Sequence, residues 1–188
     1  MDRRELLKMI AVVTGSAVVG GEFFLSGCKN KEAKVAGLSF SQDDIAFLDE
    51  VGETILPKTN TPGAKDAEVG KFMTVVVNDC YKEADQHVFF DGMKKLDEAC
   101  NKMHGYGFIK ADAAQRKEFL TALDKEAKEY AKNKKNDEPS HYFTMMKQLT
   151  LLGFFTSKPG LKECFNYLPV PSKYDGAVAY KEGDKLYV

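Results

Sequence analysis

Residues 55–81 read ILPKTNTPGAKDAEVGKFMTVVVNDCY, and the way its two halves fold decides the class of the whole chain. The first half closes an apolar, helix-spaced run and breaks at Pro57. Pro57 and Pro62 each lack a backbone donor and disfavour helix at the residue before them. Pro62-Gly63 reads as a turn. Thr59, Asn60 and Thr61 can bond their own backbone, so the loop over residues 58–65 is stiff without being a strand. Such a loop is either a plain helix–helix connection or a shaped edge that meets something else. The second half is ambiguous. Residues 72–77, FMTVVV, have strand propensity. Val69, Phe72, Val76 and Cys80 also fall on one helical face, and no partner strands follow. The segment is therefore read as helix, which makes the chain all-α.

The flanking sequence agrees. Ser41 followed three residues later by Asp44 is a capping-box start. Ile45, Leu48, Val51 and Ile55 then recur at helical spacing up to Pro57. In residues 83–104, Phe89, Met93, Leu96, Cys100 and Met103 step by 4, 3, 4 and 3, an amphipathic stripe that Gly105 ends. Asp112 is placed to cap residues 113–132, with Arg116, Leu120, Leu123, Ala127 and Tyr130 along one side. A polar linker over 133–138 follows. Pro139 suits the first turn of the next helix, which carries Phe143, Met146, Leu149 and Gly153. Pro159-Gly160 opens a short helix through Phe165. Residues 166–188 lack helical periodicity and are expected as an extended C-terminal arm. The expected architecture is an all-α antiparallel helical bundle of about five helices with one rigid Pro/Gly loop and that arm.

Composition limits the function. At 44% hydrophobic and 29% charged, with net charge −1, the chain is globular and lacks the basic face that nucleic-acid binding requires. Its densest basic run, residues 132–135, lies beside Asp137 and Glu138 and reads as a solvated linker. The first 28 residues form a separate unit. Arg3-Arg4 and Leu6-Leu7-Lys8 resemble a twin-arginine export signal, which is read by a transporter of already folded proteins. The apolar run that follows is too short to span a bilayer, which takes about 20 apolar residues. Leu25-Ser26-Gly27-Cys28 resembles a lipobox, with Cys28 as the lipid-modified first residue after cleavage. Residues 29–40 are then a polar spacer, and residues 41–188 the helical domain. The expected location is the periplasm, on a membrane by way of the lipid anchor.

A recognisable catalytic apparatus is missing from the sequence. His87, His104 and His141 lie far apart, without a second ligand at metal-motif spacing, and read as surface or capping residues. Asp49, Glu50 and Glu53 read as solvated surface unless a pocket opposes them. There is no Gly-x-Ser-x-Gly elbow and no phosphate or dinucleotide loop. Cys80, Cys100 and Cys164 form no close pair. They read as small buried hydrophobes, with one disulfide among them as the alternative.

Three stretches carry a family resemblance. Residues 55–64 (ILPKTNTPGA) with Asp79-Cys80-Tyr81, residues 153–160 (GFFTSKPG), and Tyr167 to Pro171 with Tyr174-Asp175-Gly176 resemble the gluconate 2-dehydrogenase subunit 3 family. Asn60 stands where that family usually has aspartate. The resemblance implies a non-catalytic small subunit. It would associate with a large flavin-dependent dehydrogenase subunit that oxidises sugars, sugar acids or glycosides, often with a cytochrome c subunit taking the electrons. It implies no cofactor on this chain, with FAD, and any iron–sulfur cluster, on the partner. The export signal here would carry the folded partner out. The expected partner edge comprises Pro57, Thr59, Asn60, Thr61, Pro62 and Gly63, with Pro169, Pro171 and Tyr174. Two other readings stand beside this one: a free-standing lipoprotein that binds a sugar or cell-surface partner, and an enzyme in its own right.

Overall fold

The structure is a computed structural model that describes residues 39–135, 137–170 and 176–188. The export residues Arg3, Arg4, Leu6, Leu7 and Lys8, the lipobox Cys28, most of the spacer, and Pro171 and Tyr174 lie outside the described residues. The helices are α1 (Gln42–Ile55), α2 (Val69–Cys80), α3 (Glu83–His104), α4 (Ala113–Asn133) and α5 (Tyr142–Thr156). Short 3-10 turns cover Lys65–Ala67 and Phe108–Lys110, and a π-helical turn covers Gly160–Cys164. The fold is all-α, as the helical reading of residues 69–81 requires.

The helix starts follow from local chemistry. The Ser41 hydroxyl accepts from the Asp44 amide at 3.2 Å, and the Asp44 carboxylate accepts from the Ser41 amide at 2.8 Å. Asp112 and Gln115 repeat this box at α4, at 2.9 and 3.0 Å. Each box satisfies two backbone donors that a helix start leaves open. At α5 the cap is His141, whose Nδ1 accepts from the Phe143 amide at 3.2 Å. Pro139 lies two residues before that cap, outside the first turn where the sequence placed it.

Helix α5 is the axis of the bundle and touches each of the other four. Its Phe143, Met146, Leu149, Thr150, Gly153 and Phe154 are buried. Helices α3 and α4 both lean on α5 and make little direct contact with each other. A groove remains between them, and Met103 lies on its rim, 55% exposed, although its spacing puts it on the apolar stripe. Phe89, Met93, Leu96 and Cys100 of that stripe are buried as expected. On α2 the buried face runs through Val69, Gly70, Met73, Thr74 and Val77. Phe72 and Val76 are half-buried, and Cys80 is exposed. The small Gly70 lets α2 press against α1, so the inward face is rotated from the expected one.

Ion pairs join helices of the bundle: Lys147 of α5 meets Asp124 of α4 at 2.6 Å. Arg116 of α4 reaches Glu50 of α1 and also donates from Nε to the Phe108 carbonyl at 3.0 Å. Its guanidinium lies 5.5 Å from the centre of the fully buried Phe108 ring. Cys80, Cys100 and Cys164 are all free, and only Cys100 is a buried core residue. Burial raises the Cys100 thiol pKa, with Asp97 adding to the effect. The described residues of the C-terminal arm, 166–170 and 176–188, are irregular and exposed. The arm's end folds back, with the Asn166 amide donating to Leu186 and the Leu168 amide to Val188, at 2.9 and 3.1 Å.

A candidate docking cleft between two proline-stiffened turns

The Pro57 loop forms one wall of a surface cleft of about 440 Å³. Lys58, Thr59, Asn60, Thr61, Pro62 and Asp66 line that wall, and Lys158, Pro159, Lys162 and Glu163 line the other. Sequence reasoning named the first wall as a partner edge but did not see that residues 157–163 would face it. The two segments are nearly a hundred residues apart, and only the packing of α5 brings them together.

Each wall is fixed from beneath. Glu53, on the last turn of α1, accepts from the Lys58 amide at 2.8 Å and the Lys65 amide at 2.9 Å, so one carboxylate clamps both ends of the loop. The Ala64 amide donates to the Leu56 carbonyl at 3.0 Å. Asp66 accepts from the Gly63 amide at 3.0 Å and pairs with the Lys58 ammonium at 3.1 Å. The Gly63 bond, with help from Lys58, holds the Asp66 carboxyl below its ordinary pKa. Between residues 59 and 61 the chain bends, and the Thr59 amide donates to the Thr61 carbonyl at 3.0 Å. The reversal is therefore shared by this bend and the Lys65–Ala67 turn, and Pro62-Gly63 is not itself the turn. Borrowed carboxylates stiffen the loop more than its own threonine and asparagine side chains do.

The neighbouring carboxylates serve the same scaffold. Asp49 accepts from the Gly70 amide at 2.7 Å and so ties α1 to the start of α2. Burial raises its pKa, against the lowering effect of that bond. Glu50 takes Lys65 as well as Arg116. These groups are part-buried tethers, which corrects their reading as solvated surface. On the opposite wall, the Ser157 hydroxyl donates to the Phe154 carbonyl at 2.7 Å and accepts from the Gly160 amide at 3.1 Å. Pro159 then enters the π turn with a helical backbone.

The lining holds three ammonium groups, two carboxylates, hydroxyls and proline rings, with no imidazole or thiol. It is equipped for ion pairing and hydrogen bonding rather than for proton transfer near neutral pH. Pro169 is exposed on the arm and is not part of the cleft lining. The groove between α3 and α4, about 710 Å³, holds His141 and Tyr142. Burial lowers the His141 pKa and pushes Tyr142 up to about 12. Among the described residues no group of three or more His, Cys, Asp or Glu could hold a metal ion. No helix among them is long and apolar enough to cross a membrane.

Comparison with curated proteins and with solved structures finds no match. A family model described as gluconate 2-dehydrogenase subunit 3 matches residues 42–172, a range that includes all five helices and both walls of the cleft. The chain belongs to the gluconate 2-dehydrogenase subunit 3 family.

Proposed function

We propose that this chain is the non-catalytic helper subunit of an exported, flavin-dependent sugar or sugar-acid dehydrogenase. In this reading it folds with the large catalytic subunit, escorts it out of the cytoplasm and tethers it to a membrane. Family membership supports a place in a gluconate dehydrogenase complex. The observation that carries the docking role is the cleft, where two segments that resemble family motifs become facing walls, one braced by the Glu53 and Asp66 carboxylates and the other by the Ser157 hydroxyl. A surface already rigid before contact gives up little ordering entropy on binding. Arg3-Arg4 and Cys28 supply the export and anchoring parts, with the mature chain periplasmic. The flavin, and any iron–sulfur cluster, belong to the catalytic subunit, and a cytochrome c subunit fits as electron acceptor.

The test is expression of the large flavoprotein subunit with and without this chain, with flavin content and exported yield measured. The expected result is that exported, flavin-loaded enzyme depends on this chain. Equal yield in its absence overturns the proposal.

A further inference from the structure

Helix α5, YFTMMKQLTLLGFFT, is apolar on nearly every side, a pattern that belongs to a helix covered all round. One flank is nevertheless left open by the described residues. Leu151, Leu152 and Phe155 are 37%, 50% and 39% exposed. The strip continues past the helix end, because the Phe155 ring lies 5.6 Å from that of Phe165. Between those two phenylalanines in sequence is the Lys158–Glu163 wall of the cleft. The apolar strip and one wall of the lysine-edged cleft are thus built from the same stretch of chain, residues 151–165. Single exposed apolar residues are ordinary on any protein, but a contiguous strip on the central helix, running into a built cleft, is not.

We infer that the catalytic flavoprotein subunit seats on this two-part surface: an apolar ridge of the partner covers Leu152, Phe155 and Phe165, and carboxylates at its edge meet Lys58, Lys158 and Lys162. This rests on the proposed role as a helper subunit and names the face that performs it. An anionic membrane also takes up apolar and lysine side chains together. The carboxylates Asp66 and Glu163 inside the lysine cleft disfavour an anionic lipid surface and suit a protein of mixed charge. The fixed geometry of both walls suits a partner of defined shape.

The experiment uses the full chain co-expressed with its large flavoprotein subunit. The wild-type pair is expected to co-purify. Leu152→Asp with Phe155→Asp should lower the affinity at least tenfold, and Lys58→Glu with Lys162→Glu should lower it and flatten its salt dependence. Met103→Asp, an equivalent change at an exposed site on the α3–α4 groove, should leave it unchanged. Hydrogen exchange on the wild-type complex gives a readout that needs no variant: new protection is expected over residues 151–165 and 58–66. Protection confined to the α3–α4 groove, or unchanged affinity in the Leu152/Phe155 variant, overturns the assigned face while the helper role stands. Failure of the wild-type pair to associate overturns both. Vesicles of phosphatidylcholine with phosphatidylglycerol provide the other arm: binding of the lone chain that Leu152→Asp abolishes would assign the strip to lipid and overturn the inference.

Discussion

Gly63 is required for its size rather than its backbone angle. Its φ is not in the left-handed region. A Cβ there would stand 2.5 Å from both Glu53 carboxylate oxygens and 2.6 Å from the Lys58 nitrogen. Gly63→Ala must therefore push the Glu53 clamp off the Lys58 and Lys65 amides. The expected cost is about 1–3 kcal/mol, read as a lower midpoint in urea unfolding, together with weaker association with the proposed catalytic partner. His141 yields a pH prediction. Its Nδ1 must be unprotonated to accept from Phe143, and burial, with Lys95 adding and Glu126 opposing, lowers its pKa from 6.5. As pH falls the unfolded chain takes up this proton before the folded one does. The stability due to the neutral cap is complete above pH 6.5 and is lost as pH falls through the lower folded value. His141→Asn keeps a capping acceptor that does not titrate. The difference in melting temperature between about pH 7.5 and about pH 5 should shrink in that variant. An unchanged difference would remove His141 as the cause.

Gln86 shows what one polar residue does for the junction of two helices. It is 6% exposed, and its Nε2 donates to the carbonyls of Val77, Asn78 and Tyr81 at 3.0, 3.1 and 3.0 Å. These are orphan acceptors at the end of α2, so α3 supplies the C-terminal cap of the helix before it. Gln86→Met keeps the volume and removes the donor. It should destabilise the fold by about 1–3 kcal/mol in denaturant unfolding, because buried carbonyls are left unpaired. This role was legible in principle: residue 86 sits three before Phe89, in register with the stripe through Met93, Leu96 and Cys100, and a polar side chain at a core position has to be bonded. The helix starts at Ser41 and Asp112 were legible because a cap is written within four residues. The inward face of α2 was not, because the close approach at Gly70 rotates it toward α1, and that contact spans 21 positions in sequence. A close approach of the same kind locks α3 to α5. A Cβ on Gly92 would lie 2.3 Å from that of Tyr142, so a glycine in mid-helix is the fit for that crossing.

At the scale of the molecule, the all-α class and the stiff loop could be read from proline placement and 3.6-residue spacing alone. The cleft could not, because its second wall comes from the far end of α5 and no local pattern pairs Thr61 with Lys162. The braces could not either, since Glu53 and Asp49 look like any solvated carboxylates until the loop they hold is in place. Helix α1 also sets a distance. Its 14 residues make a rod about 21 Å long. The chain enters at the Ser41 end, where Phe40 packs on Phe89 and Phe90, and Glu53 supports the cleft from the other end. A load applied at the Ser41 end would therefore act a full helix length away from the Glu53 clamp.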